Sequence, residues 1–295
     1  MAWLIMMGIV VAGTAIWPVG RWATSRNGSA AVMGFWISLF CGAACAITLF
    51  LRGDPLWVPG VWAAGLLLGL AYSIGFCAII MHCIKIGPAG PTVTINNMAM
   101  ACGVLYGILW IVPRNTGLPV TVNPATAVGL AGVCAALVLV GMIRKNDKGA
   151  RPVTPLWIRL VAIGGLLSGF SFITQTHTAE CYPRNDYLYL TVGFLVSAVV
   201  LLVFMFRTDG AFRRKRELIG GAAIGVYDYI ALPLVLRCIR ELGAEVVLPV
   251  TVATPIILMV IIGRLAYKEQ IGRAGVAGCI IGAVSVALIA FGSAG

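Results

Sequence analysis

Nine of the ten acidic residues fall in connections or at the ends of apolar stretches: Asp54, Asp147, Glu180, Asp186, Asp209, Glu217, Glu241, Glu245 and Glu269. Asp228 alone lies near the middle of an apolar run. A carboxylate in hydrocarbon costs roughly 2.5 kcal/mol or more on insertion scales, so it is expected to face a cavity or a partner. There it can hold a cationic group, or take up and release a proton. A packed carboxyl bonded to Ser, Tyr or backbone groups is the plainer alternative. Tyr227 and Tyr229 flank it. Neighbours on a helix point about 100° apart, so they cannot both share its face fully. Tyr72 occupies a comparable place in another stretch. A tyrosine offers a ring and a hydroxyl, which suit sugars or amines; ordinary packing explains each equally well. Asn96 and Asn97 are adjacent amides near a midplane, fitted either to hydrogen-bond a polar substrate or to lock helices together. Thr92, Thr94, Thr251 and Thr254 add hydroxyls, many of them expected to bond back to their own helix.

A second group lies at the ends of the stretches. Gln175, His177 and Glu180 close one of them. His177 and Glu180, three residues apart, can share a helix face as a gate or a proton-entry pair, or simply form a solvated helix end. His82 and Lys85 are a similar pair at the opposite face. Arg237 follows Asp228 by nine residues, about 13 Å along a helix. That is too far for direct pairing, so Arg237 reads as an external gate or a headgroup contact. Trp17 can pack over a cavity or anchor at the membrane interface.

Ten apolar stretches must position these residues: 3–19, 30–51, 61–84, 88–112 and 124–143, then 160–178, 188–206, 219–240, 244–266 and 272–292. Most reach the roughly 20 residues that a helix needs to cross a bilayer core. Only helices and closed barrels satisfy every backbone group in lipid, and these runs are too long and too continuously apolar for barrel strands. The expected fold is an all-α polytopic membrane protein of ten transmembrane helices. A composition of 60% hydrophobic and 11% charged residues argues against a soluble domain of this length.

The net charge of +11 does not point to nucleic acid, because the basic residues cluster at stretch ends without aromatic interleaving. Sixteen of the twenty-one Lys and Arg fall on one side, in 20–29, 85–87, 144–159, 207–218 and 264–273. The other side holds Arg52, Arg114, Arg184, Arg237 and Arg240. The positive-inside rule makes the first side cytoplasmic and both termini external. The first stretch lacks the preceding basic residues of a signal peptide, and no lipidation motif is visible. Seven of the nine cysteines lie within stretches, which suits small apolar packing rather than a disulfide framework. Cys181 and Cys238 both map near the external face, where a bridge between them is left open. No metal-ligand spacing or cofactor motif occurs.

The stretches fall into two sets of five, residues 1–143 and 160–295, joined by a basic linker at 144–159. An odd number of spans per set makes a duplicated half enter from the opposite side, giving the inverted repeat common among secondary transporters. At one offset Tyr72 matches Tyr227, Cys83 matches Cys238 and Lys85 matches Arg240. Gly8 and Gly13 match Gly164 and Gly169. Glycines four apart recur as Gly65/Gly69, Gly103/Gly107, Gly165/Gly169, Gly221/Gly225 and Gly278/Gly282, which lets helix backbones approach closely. Pro233, Pro249 and Pro255 lie inside stretches; each kinks its helix or frees a carbonyl.

Together these residues resemble the drug/metabolite transporter superfamily, in particular its EamA-type ten-helix members. The resemblance is most specific over Leu242–Gly292, where Pro255, Gly263-Arg264-Leu265, Glu269, Gly275, Gly278 and Gly282 look like family positions. Trp17 resembles an early Trp-Gly, with Pro18 in place of the glycine. The first half departs further, its fourth stretch ending Trp110-Ile111-Val112-Pro113 without the usual acidic residue. The resemblance implies a secondary transporter with a central site between its halves, in a bacterial inner membrane. Its expected partners are a small-molecule substrate and the bilayer, with no cofactor and no nucleic acid, as a monomer or homodimer. The expected substrate is a small polar metabolite of the amino acid, amine or sugar class, with proton coupling through Asp228. A membrane assembly or sensor protein should carry a tail or soluble domain. An intramembrane enzyme should show a nucleophile–base pair, a metal cluster or paired carboxylates.

Overall fold

The computed structural model describes residues 2–24, 28–87, 92, 95–96, 98–111, 124–141, 154–208, 215–244, 247–248, 251 and 273–293. Among these the secondary structure is helical, with no strand. The elements are α1 (Ala2–Thr24), α2 (Ala30–Arg52) and α3 (Pro59–Leu70), which runs on through a π-helical segment (Ala71–Ile80) into α4 (Met81–Ile86). Then come α5 (Ala101–Tyr106) with a second π segment (Gly107–Ile111), α6 (Pro124–Gly141), α7 (Pro155–Cys181), α8 (Asp186–Thr208), α9 (Lys215–Leu242) and α10 (Arg273–Ser293).

Five of the described helices are long and apolar enough to cross a membrane: Ala30–Arg52, Pro59–Cys83, Pro155–Cys181, Asp186–Phe206 and Lys215–Leu242. Leu4–Gly20, Ala101–Ile111 and Val276–Ser285 are shorter apolar helices. The greater part of the ninth apolar stretch, including Pro249, Thr254, Pro255 and Glu269, lies outside the described residues, as do Asn97 and Thr94.

Local chemistry sets the helix ends. Ser29 caps α2, its hydroxyl accepting from the Val32 N–H at 3.4 Å. The buried carboxylate of Glu217, in the first turn of α9, accepts from the Ser29 N–H. A negative group at a helix N-terminus meets the positive end of the backbone dipole, so this contact ties α9 to the start of α2. Gly53 ends α2 at φ 65°, a left-handed conformation in which a Cβ would be strained. Thr154 caps α7 and Pro155 opens it, where its missing N–H costs nothing. Helix therefore begins inside the stretch read from sequence as linker. Pro233 is accommodated within α9, which continues on both sides of it.

The closest helix pairs are α6 with α10, α2 with α8, α2 with α9, α3 with α8, the first π segment with α7, and α1 with α9. Glycine permits several of these approaches. A Cβ on Gly69 would lie 2.5 Å from the Gly193 carbonyl on α8, and one on Gly225 would lie 2.7 Å from the Ile37 carbonyl on α2. Between α2 and α8 the buried hydroxyls of Ser38 and Ser197 share a hydrogen bond of 2.9 Å. Cys181 is exposed, whereas Cys238 is buried with its Sγ 3.7 Å from the Ala2 carbonyl.

Candidate functional site

Asp228 sits in the middle of α9 and points into a cavity of about 200 Å³ whose walls include Gly13 and Ile16 from α1, Tyr72 and Phe76 from the first π segment, and Ile224 and Tyr227 from α9. Its carboxylate Oδ2 accepts from the Tyr72 hydroxyl at 3.4 Å, a long bond. Tyr72 is fixed by its neighbours: it stacks on Phe76 with ring centroids 5.4 Å apart and meets Phe194 edge-on at 5.1 Å.

A second cavity, of about 270 Å³, adjoins the first and shares Gly13, Tyr72, Phe76 and Tyr227 as walls. Its polar groups include Asn96; Ser168, Ser171 and Gln175 on α7; Tyr227 on α9; and Thr251. The Ser168 hydroxyl donates to Asn96 Oδ1 at 2.7 Å and fixes that buried amide. The Tyr227 hydroxyl donates to the Ile9 carbonyl at 2.7 Å, across from Gly13. The larger cavity extends toward Gln175 and Val235, at the C-terminal ends of α7 and α9; the smaller extends toward Gly20 and Ile224, at the opposite end of the bundle.

Of the residues singled out in the sequence, Asp228, Tyr72, Tyr227, Asn96, Gln175 and Thr251 line these two cavities. Asn97 and Thr254 lie outside the described residues, and so does the side chain of Trp17 on α1. Tyr229 turns away: its hydroxyl shares a 2.9 Å hydrogen bond with Thr48 on α2. His177, near the end of α7, shares a 2.8 Å hydrogen bond with the Tyr106 hydroxyl and has the Tyr182 ring edge-on at 5.6 Å. Glu180 is half-buried one turn further on. Arg237 is exposed and pairs with Glu241 at 2.7 Å, one helical turn along α9, away from both cavities.

Several contributors escaped the sequence reading. Ser168, Ser171 and Phe172 face the larger cavity, but a serine or phenylalanine in an apolar helix carries no signal until the helix rotation is known. Arg240 grips Asp186 through two bonds of 2.7 and 2.8 Å, joining the end of α9 to the start of α8. Trp157 is fully buried, its indole N–H donating to Thr92 Oγ1 at 3.1 Å. Among the described residues no group of three or more His, Cys, Asp or Glu could hold a metal ion.

Long apolar helices enclosing a sparsely polar interior define a polytopic membrane protein. Residues 155–291 match the model of the EamA-like transporter family, which belongs to the drug/metabolite transporter superfamily, a family of membrane transporters. Beyond that family, the fold is similar to a solved structure described as "Crystal structure of protein", with a TM-score of 0.66 and 14% identity over 97% of this chain and 95% of that one. No curated protein matches.

Proposed function

We propose that this chain is a secondary active transporter of a small polar metabolite, of the amino acid, amine or sugar class. It works by alternating access between two inverted five-helix halves, 1–143 and 160–295, and is coupled to protons through Asp228. The observation that carries the reading is Asp228 itself: a mid-helix carboxylate facing a cavity, contacted by a tyrosine from the other half. A mid-span carboxyl that exchanges one partner can bind a proton in one access state and release it in the other.

The helix pairings support the duplication. If the first to fifth spans correspond to the sixth to tenth, the pairs α2–α8 and α6–α10 each map onto themselves. The pair α2–α9 exchanges with α8–α3, and α1–α9 exchanges with α7 and the first π segment. A twofold relation between halves requires such exchange. Cavity walls drawn from both halves suit a site exposed by rocking one half against the other. Proteoliposome uptake with and without an imposed pH gradient tests the reading. Asp228→Asn, nearly isosteric, is expected to keep the wild-type melting curve and to lose gradient-driven uptake. Unchanged gradient-driven uptake in that variant makes Asp228 a structural residue and removes it from the coupling step.

A further inference from the structure

The two cavities divide their chemistry unequally. In the larger, the described polar groups are amides and hydroxyls, and none of the described wall residues is charged. In the smaller, Asp228 is the charged residue among the described wall residues, set among apolar side chains and two tyrosines. Tyr72 and Tyr227 stand between them. Tyr72 lines both cavities, and its hydroxyl reaches the Asp228 carboxylate. Tyr227 is held across the boundary by its bond to the Ile9 carbonyl, at a point where only glycine leaves room on α1.

The geometry points to a division of labour: the larger cavity binds an uncharged polar solute, and Asp228 serves the coupling ion from the adjoining cavity without touching that solute. This rests on the transporter reading and narrows its substrate class. An ammonium or carboxylate placed among amides and hydroxyls leaves water without a countercharge, which costs several kcal/mol. A neutral hydroxyl or amide exchanges water for protein hydrogen bonds at little net cost. The Ser168 bond holds the Asn96 carbonyl oxygen and leaves the amide NH₂ available to a ligand. Size narrows the class further. An apolar cavity of about 150 Å³ admits one benzene, so 270 Å³ accommodates one ring with a short polar tail.

The test uses the purified full-length protein and three probes of matched size: phenylacetamide, phenethylammonium and phenylacetate. Titration calorimetry is expected to give phenylacetamide a Kd at least roughly tenfold below either ion, since about 1.4 kcal/mol of uncompensated charge burial is a factor of ten. Arg237→Gln, exposed and away from both cavities, should leave that Kd unchanged. Asn96→Leu should raise it roughly tenfold by removing the amide, a bond worth about 1–1.5 kcal/mol. Ala231→Leu, which adds side-chain volume inside the larger cavity, should do the same without deleting any polar group. Tightest binding by phenethylammonium, lost in Asp228→Asn, overturns the division by putting the carboxylate in the substrate site. Absence of phenylacetamide binding overturns it as well. Equilibrium binding needs no gradient, so intact binding with no proteoliposome uptake counts against transport alone.

Discussion

A methyl group on Gly13 would sit 2.8 Å from the Tyr227 hydroxyl. That hydroxyl is the far end of a ring already tied to the Ile9 carbonyl, so it has little freedom to withdraw. Gly13→Ala is therefore expected to break the Ile9 bond and destabilise the protein by about 1–3 kcal/mol through overpacking. Gly8→Ala, one turn and a half earlier on the same helix and with nothing near its added carbon, serves as the control. It should be neutral or stabilising by up to about 1 kcal/mol, as expected for removing a helical glycine. Thermal unfolding in detergent separates the two. At this scale the sequence exposed Asp228 because a mid-span acid has no cheap explanation in lipid, and Asn96 because amides there are rare. It could not expose Ser168 or Ser171, since which face of α7 looks inward depends on the packing of its neighbours. Trp157 carried no signal for a related reason: it falls in the stretch read as linker, where nothing marks an aromatic as buried, yet it packs against Thr92.

Pairs of helices meet where glycines line one face. The Gly65/Gly69 and Gly221/Gly225 spacing was visible in the chain, but not the surfaces they receive: Val192 and Val196 on α8 for the first pair, and Trp36 and Phe40 on α2 for the second. Gly69→Val and Gly225→Val should each destabilise by about 1–3 kcal/mol or force the helices apart, because the obstructing atoms include backbone carbonyls that cannot rotate away. Melting curves of the two variants would expose any seam that tolerates the added volume. The bidentate Arg240–Asp186 pair belongs to this scale too. Both side chains are mostly shielded, and a double-mutant cycle with Arg240→Gln and Asp186→Asn is expected to give a coupling of about 1–3 kcal/mol. A coupling near zero would reduce the pair to a surface ornament of the α8–α9 junction. The sequence located Asp186 and Arg240 near one face. It carried no signal for their contact, because partners 54 residues apart meet only through tertiary packing. The π segments were equally silent: apolar periodicity does not distinguish a π turn from an α turn over ten residues.

Orientation is a property of the whole chain. The sixteen-to-five distribution of Lys and Arg predicts external termini. A reporter that works only in the cytoplasm, fused at Gly295, should stay silent; strong activity would reverse the assignment and place the Asp228 chamber toward the outer face. Apolar length made the helical membrane class legible from the start, since only helices and closed barrels satisfy the backbone in lipid and these runs are too long and too continuously apolar for barrel strands. The pairing of helices was not legible, because lipid-facing and protein-facing sides of such helices are both apolar and carry little contrast.

Trp157 gives the molecule one more property. It stands in the first turn of α7, inside the stretch read from sequence as linker, and its indole fills the notch at Gly87, where a Cβ would come within 2.3 Å of the ring. The opening of the second half is thus plugged into the end of the third apolar stretch and bonded to the fourth through Thr92. A joint of this kind does not need the peptide bonds that precede it. Two co-expressed fragments, 1–150 and 151–295, should reassemble and co-purify, and Trp157→Ala should weaken that recovery far more in the split protein than in the continuous one. The two pieces are expected to rejoin across the helix pairs that already link the halves, with Trp157 closing the seam at the cut.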